Sequence, residues 1–179
     1  MIYEVLLLVV LIAFWKKGSL IRLAQTEIQL SYLIITSLLL QLAAMLLYDR
    51  SAWMAETFPY WITVSYTILA YACWRNRKLP GFLWFGIGML LNFLVITVNG
   101  GRMPVSVDAL QWAGLSSYIP LLEEGLTKHQ LMTANTHLIF LADVVPLRPP
   151  FVFSSMVVSI GDIAVTWGMS RFMFKKMTE

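Results

Sequence analysis

Cysteine occurs once in these 179 residues, as Cys73, so the chain can form no internal disulfide and has no thiolate set for a metal. Histidine occurs only twice, and neither His129 nor His137 has acidic neighbours at metal-ligand spacing. GxSxG, HExxH and glycine-rich phosphate loops are all missing, which removes the serine-hydrolase elbow, the zincin helix and the usual nucleotide cradle. No cofactor is implied. Charged residues make up 13% of the chain and the formal net charge is +3, too little basic excess for a nucleic-acid partner. Repeats, Ser/Gly linkers and low-complexity tracts are also absent, and a single domain over 1–179 is the economical reading.

What the chain has in abundance is apolar surface. Apolar residues account for 59% of it and the mean hydropathy is +0.72, more than a water-facing coat can cover. The expected fold is therefore all-α: a polytopic membrane helix bundle of about five transmembrane helices at 2–15, 28–48, 57–74, 81–99 and 151–170, in a setting of membrane lipids. Residues 2–15 are short, but Glu4 rather than a basic stretch stands at their start and no small-x-small site follows, so they read as a retained helix. Lys16, Lys17 and Arg22, then Arg75, Arg77 and Lys78, then Arg171, Lys175 and Lys176 follow alternate spans. That distribution orients the amino terminus outward and the carboxyl terminus inward across a bacterial cytoplasmic membrane. The long segment 100–150 then lies outside. Ser106 is placed to cap a short helix ended by Gly114, and Thr127 to cap another running to about Leu141, both interfacial.

Polar residues gather at a few places within this apolar background. Asp162 lies inside the last apolar stretch, where a charge in lipid costs about 2.5–3.5 kcal/mol and so calls for a partner. Ser155, Ser159, Asp162 and Thr166 recur at helical intervals, as do Gly81, Gly88, Asn92 and Asn99 in the preceding stretch. Gly161 and Gly168 sit on another face of the last helix and permit close approach of a neighbour. Asn99 opens the run NGGRMPVS, where paired glycines allow a sharp turn and Arg102 offers a fork for carboxylate or phosphate. Asp143, in LADVVP, is a second acid among apolar neighbours, with His137 six residues before it and able to tune it. Two carboxyls brought close in a poorly solvated pocket share a proton, and one acts as base while the other acts as acid on a bound water.

The combination NGGRMPVS, LADVVP and SIGD resembles an uncharacterised family of small bacterial multi-pass membrane proteins, from about Lys78 onward; that resemblance implies no activity. More faintly, Asp143 in LADV and Asp162 in SIGDIAVTWG resemble the two catalytic aspartates of the lipoprotein (type II) signal peptidases. The pattern departs from theirs at Ser159, where those enzymes carry an Asn, and in the longer segment before Asp143. The resemblance implies an aspartyl-dyad hydrolase, peptidase-like, acting on a lipid-linked or membrane peptide substrate. Asp143 and Asp162 are then the catalytic candidates, and Asn92, Asn99, Arg102 and Ser159 the candidate substrate contacts. Two other readings stand beside it: a non-enzymatic binder or transporter of a lipid or small molecule, and a structural accessory subunit. No oligomeric state follows from the residues.

Overall fold

A computed structural model of the chain describes residues 2–50, 52–124, 128–150 and 152–179. Five longer helices carry most of it: α1 (Ile2–Trp15), α3 (Ser31–Leu47), α4 (Ala52–Arg75), α5 (Phe82–Val98) and α8 (Ile160–Thr178). Between α1 and α3 lies the short α2 (Leu20–Ala24), whose first turn is capped by the Ser19 hydroxyl accepting from the Ile21 amide. The long helices pack in the order α1, α8, α5, α4, α3, so that α8 and α5, distant in sequence from one another, form the centre of the row.

Their closest contact is made through glycine. Gly81 and Gly88 on α5's side meet Gly168 and Gly161 on α8, and a Cβ added at Gly88 would stand 2.6 Å from the Val165 backbone nitrogen. Backbones approach this closely only where neither helix carries a side chain. The glycine spacing legible in the sequence is thus the packing surface of the central pair.

The expected polytopic bundle is overturned. No helix among the described residues is long and apolar enough to cross a membrane. α1 has 14 residues and α3 and α5 have 17 each; at 1.5 Å per residue these span about 21 and 26 Å, against a hydrocarbon core of ~30 Å. α4 and α8 are longer, with 24 and 19 residues, but α4 carries Glu56, four threonines or serines and a proline, and α8 carries Asp162, Arg171, Lys175 and Lys176. The last helix also begins nine residues later than the apolar run does, at Ile160, residues 156–158 ahead of it forming a strand.

Nor is the chain all-α. Segment 100–150, expected as an outer loop with two interfacial helices, contains β1 (Met103–Val105), α6 (Val107–Trp112), α7 (Ile119–Glu123), β2 (His129–Leu131) and β3 (Val145–Leu147), and β4 (Met156–Val158) leads into α8. Ser106 does cap α6, its hydroxyl accepting from the Ala109 amide, and Gly114 follows at positive φ. Thr127 lies outside the described residues, and 128–141 is not a helix: it starts with β2 and ends in a 3-10 turn at Ile139–Leu141. β1 and β2 pair in parallel, with Met103 opposite His129; β3 and β4 pair antiparallel, with Val145 opposite Val158. Periodicity within a segment cannot reveal such pairings, since each joins residues far apart in the chain.

At the opposite end of α4, buried Asn76 holds the α2–α3 connection. Its amide donates to Gln29 O (2.7 Å) and Ala72 O (2.8 Å), and its Oδ1 accepts from Gln29 N (2.8 Å). Asn76→Ala removes all three bonds and strands the Gln29 groups, so a loss of roughly 2–4 kcal/mol is expected. Chemical denaturation checks this, and a loss under about 0.5 kcal/mol would show the staple to be idle.

Candidate functional site

Asp162 is the third residue of α8, where the first-turn amides are unsatisfied. Ser159 precedes the helix, and the two form a reciprocal cap: the Asp162 amide donates to Ser159 Oγ (2.9 Å) and the Ser159 amide donates to Asp162 Oδ2 (3.2 Å). The other carboxyl oxygen, Oδ1, accepts from Asn92 Nδ2 (2.8 Å) across on α5, and Asn92 Oδ1 accepts from the Ser159 hydroxyl (2.9 Å). Asp162, Ser159 and Asn92 therefore close a ring of hydrogen bonds between the central helices. Two N–H donors and the amino end of a helix surround the carboxylate. The expected helical stripe is shorter than its spacing implied: Ser155 lies before β4, Ser159 is the cap, and Thr166 donates to the Asp162 carbonyl (2.7 Å).

Gly161 lies against this ring. A Cβ there would overlap Asn92 Oδ1 and come within 2.9 Å of the Gly88 carbonyl. Gly161→Ala is expected to lose roughly 1–3 kcal/mol by forcing Asn92 and the helices apart. Gly86→Ala is the control, since its Cβ would meet Cys73 Cβ at an ordinary 3.5 Å; an equal fall in melting temperature for the two would refute the account.

Asp143 reaches the same place by β pairing. It follows the 3-10 turn, bridges Val105, donates its amide to Pro104 O (3.0 Å) and accepts at its carbonyl from the Ser106 amide (3.0 Å). The β3–β4 pairing sets Val145, two residues after Asp143, opposite Val158, two residues before Ile160 at the amino end of α8. On the other side of β1, the parallel pairing supplies His129, whose Nε2 stands 3.5 Å from Asp143 Oδ2. The Asp143 side chain is buried, and its Oδ1 has no hydrogen-bond partner.

Burial pushes the Asp143 carboxyl up to about 8, helped by the negative charge of Asp162 and opposed by Lys128. Burial, with Lys128, pushes His129 down to about 4. At neutral pH the two therefore meet as a carboxylic acid and a neutral imidazole, not as an ion pair. Burial and the Asp162 charge likewise raise Tyr66 to about 12, which keeps its phenol protonated.

Asp143 and Asp162 line one cavity of about 270 Å³, together with Asn92, His129, Tyr66 and Gln41. Gln41 Nε2 is a second buried polar atom without a partner. The wall thus offers an unengaged donor and an unengaged oxygen, as a site for a polar group would. Among the described residues no group of three or more His, Cys, Asp or Glu is arranged to hold a metal ion.

Of the expected substrate contacts, only Asn92 lines this cavity. Ser159 is wholly buried behind it. Asn99 ends α5, donating to Val95 O (2.7 Å) and His137 O (2.9 Å) and accepting from the His137 amide (2.9 Å). Arg102 is turned toward Tyr48, its guanidinium 4.8 Å from the ring centre and donating to the phenol oxygen. The histidine at Asp143 is His129, not His137. A strand-forming HQL run opposite MPV was the only trace of this in the sequence, and it is too short to specify a partner.

No solved structure matches the chain. An uncharacterized protein of Thermotoga maritima is 32% identical over 115 residues, a stretch covering 64% of this chain and 63% of that protein. The chain thus spans less than two thirds of this relative's length. A family model matches residues 25–174, a stretch that includes both aspartates and the whole lining of their cavity, and the chain accordingly belongs to DUF5317, a family of unknown function.

Proposed function

We propose that the protein is an aspartic hydrolase with Asp162 as base and Asp143 as acid. The observation that carries this reading is that one small cavity is lined by both carboxyls, and that burial keeps the proton on that of Asp143. In the proposed reaction Asp162 takes a proton from a water as its oxygen bonds to the substrate carbonyl carbon, and Asp143 gives its proton to the carbonyl oxygen. When the tetrahedral adduct collapses, Asp162 gives the proton it took to the leaving nitrogen or oxygen, the bond from that atom to carbon breaks, the adduct's hydroxyl returns a proton to Asp143, and an acid and an amine or alcohol are released. Asn92 holds Asp162 in place throughout, acting as a positioning residue.

The substrate class follows from the cavity's rim. Leu42 and Met45, both exposed, line it beside the polar groups, which suits an amphiphile such as a lipid-linked or membrane peptide. The faint likeness of Asp143 and Asp162 to the lipoprotein signal peptidase aspartates points the same way. Exposed leucines along α1 and α3 would also suit contact with the lipids of a bacterial membrane.

One observation favours a second reading. Both oxygens of Asp162 are already engaged in hydrogen bonds that hold α8 to α5, so its carboxylate would serve structure alone if the cavity were a binding site for a polar head group. The test is hydrolysis of internally quenched peptides in ¹⁸O-labelled water by the natural chain and by Asp143→Asn and Asp162→Asn. One labelled oxygen in the product acid supports the hydrolase. Failure of the natural chain to cleave any of these peptides would overturn it.

A further inference from the structure

Asp143 and His129 border a second cavity, of about 340 Å³, whose walls are different in kind. Val105, Leu110 and Leu122 form a buried cluster there, with Leu115 and Val157 packed against it. The exposed side chains of Tyr118 and Leu121 also line it. Apart from His129 and Asp143, Ser155 and the Tyr118 hydroxyl supply its polar side-chain groups. A single buried acid thus stands between a polar cavity, shared with Asp162, and an apolar one. Each is near the lower end of the ~300–1,000 Å³ range of small-ligand sites.

We infer that the apolar cavity is the specificity pocket of the enzyme: it receives a branched aliphatic or aromatic side chain of leucine or phenylalanine size, beside the carbonyl that Asp143 protonates. This rests on the hydrolase reading for its role, though not for its occupancy. Its placement suits this role, because Asp143 and His129 line both cavities and a group bound against Asp143 on the polar side lies next to the apolar one. Burying a side chain of that size in an apolar wall strengthens binding by roughly tenfold to a hundredfold.

The probes are N-acetyl-leucine amide, N-acetyl-phenylalanine amide, N-hexanoyl-glycine amide and N-acetyl-glycine amide, followed by methyl NMR of the full chain labelled at Leu and Val. The leucine and phenylalanine amides should bind on the order of tenfold to a hundredfold more tightly than N-acetyl-glycine amide and shift Val105, Leu110 and Leu122 methyls. Ser155→Trp, which fills the cavity from a half-buried position, should reduce the preference to less than about threefold; Leu121→Glu, at an exposed position on the lining, should do the same if the first variant does not fold. Equal binding of all four amides would overturn the pocket, as would a preference untouched by a folded variant. Tighter binding of the hexanoyl probe than of the leucine amide would assign the cavity to an acyl chain and overturn the side-chain assignment. A side-chain preference in a protein that cleaves nothing would leave the pocket standing and remove the hydrolase.

Discussion

Asp143→Asn should lower kcat by roughly 10²–10⁴-fold with little change in KM, because a general acid acts in the transition state more than in binding. The substitution keeps the side chain's shape and replaces the acidic O–H by an NH₂ that gives up no proton. Its fold should be intact, since at neutral pH the natural side chain is itself uncharged in its buried place. Asp162→Asn should lose activity to a similar degree, but not so cleanly. Asparagine can still accept from Asn92, yet where Oδ2 accepted the Ser159 amide an NH₂ group would face an N–H donor. Half of the capping box is lost, so about 0.5–2 kcal/mol of stability goes with it. The pair of variants therefore separates chemistry from structure: equal losses of kcat with unequal losses of melting temperature. Full turnover in either variant would end the dyad.

The second large effect is on stability as a function of pH. Asp143 has its carboxyl raised from an ordinary 3.8 to about 8. Folding therefore holds its proton more tightly, and the stability tied to that proton is complete below the unfolded value and is lost progressively as pH rises through the folded one. His129 is shifted the other way, from 6.5 to about 4, so its contribution is present above 6.5 and lost as pH falls toward 4. Between about pH 4 and 6.5 the two slopes oppose one another. Between 6.5 and 8 only Asp143 is left, and stability should fall by up to about 1.4 kcal/mol per pH unit. Asp143→Asn should flatten that decline, because it removes the group that must ionise in a buried place. Denaturant melts at pH 6.5 and 8 measure it directly, and a variant that declines as steeply as the natural chain would place the titration elsewhere. Hydrolysis should fall over the same range, as the acid loses the proton that it is to give.

How much of this was legible beforehand differs by kind of element. Ser106 and Gly114 bracket a helix by rules that act within a few residues, and α6 lies between them as expected. Gly81, Gly88, Gly161 and Gly168 showed their faces through helical spacing, though not that those faces meet one another. Asp143 and Asp162 stood out as acids in apolar runs, and both line the cavity. Arg102 and Asn99 stood out equally, and the fold uses them on Tyr48 and on the 137 backbone. A polar residue in an apolar setting needs a partner; its type alone does not tell whether the partner is a substrate or the next turn of chain. The apolar runs misled most. Hydropathy over 151–170 treats as one span a stretch in which β4 precedes a helix beginning at Ile160, and length and charge leave no helix among the described residues able to cross a bilayer.

By itself the amino-acid sequence determined the local features: which stretches coil, where serine caps them, where glycine leaves room, and which few acids sit among apolar neighbours. Helical hydrogen bonds close within four residues, so their rules can be read in a short window. Only the tertiary structure decided that His129, Asp143 and Asp162 share a site and that Asp143 divides a polar cavity from an apolar one. Those juxtapositions depend on strand register and on two helices meeting from distant parts of the chain, and the free energy that selects them comes from contacts that no local pattern contains.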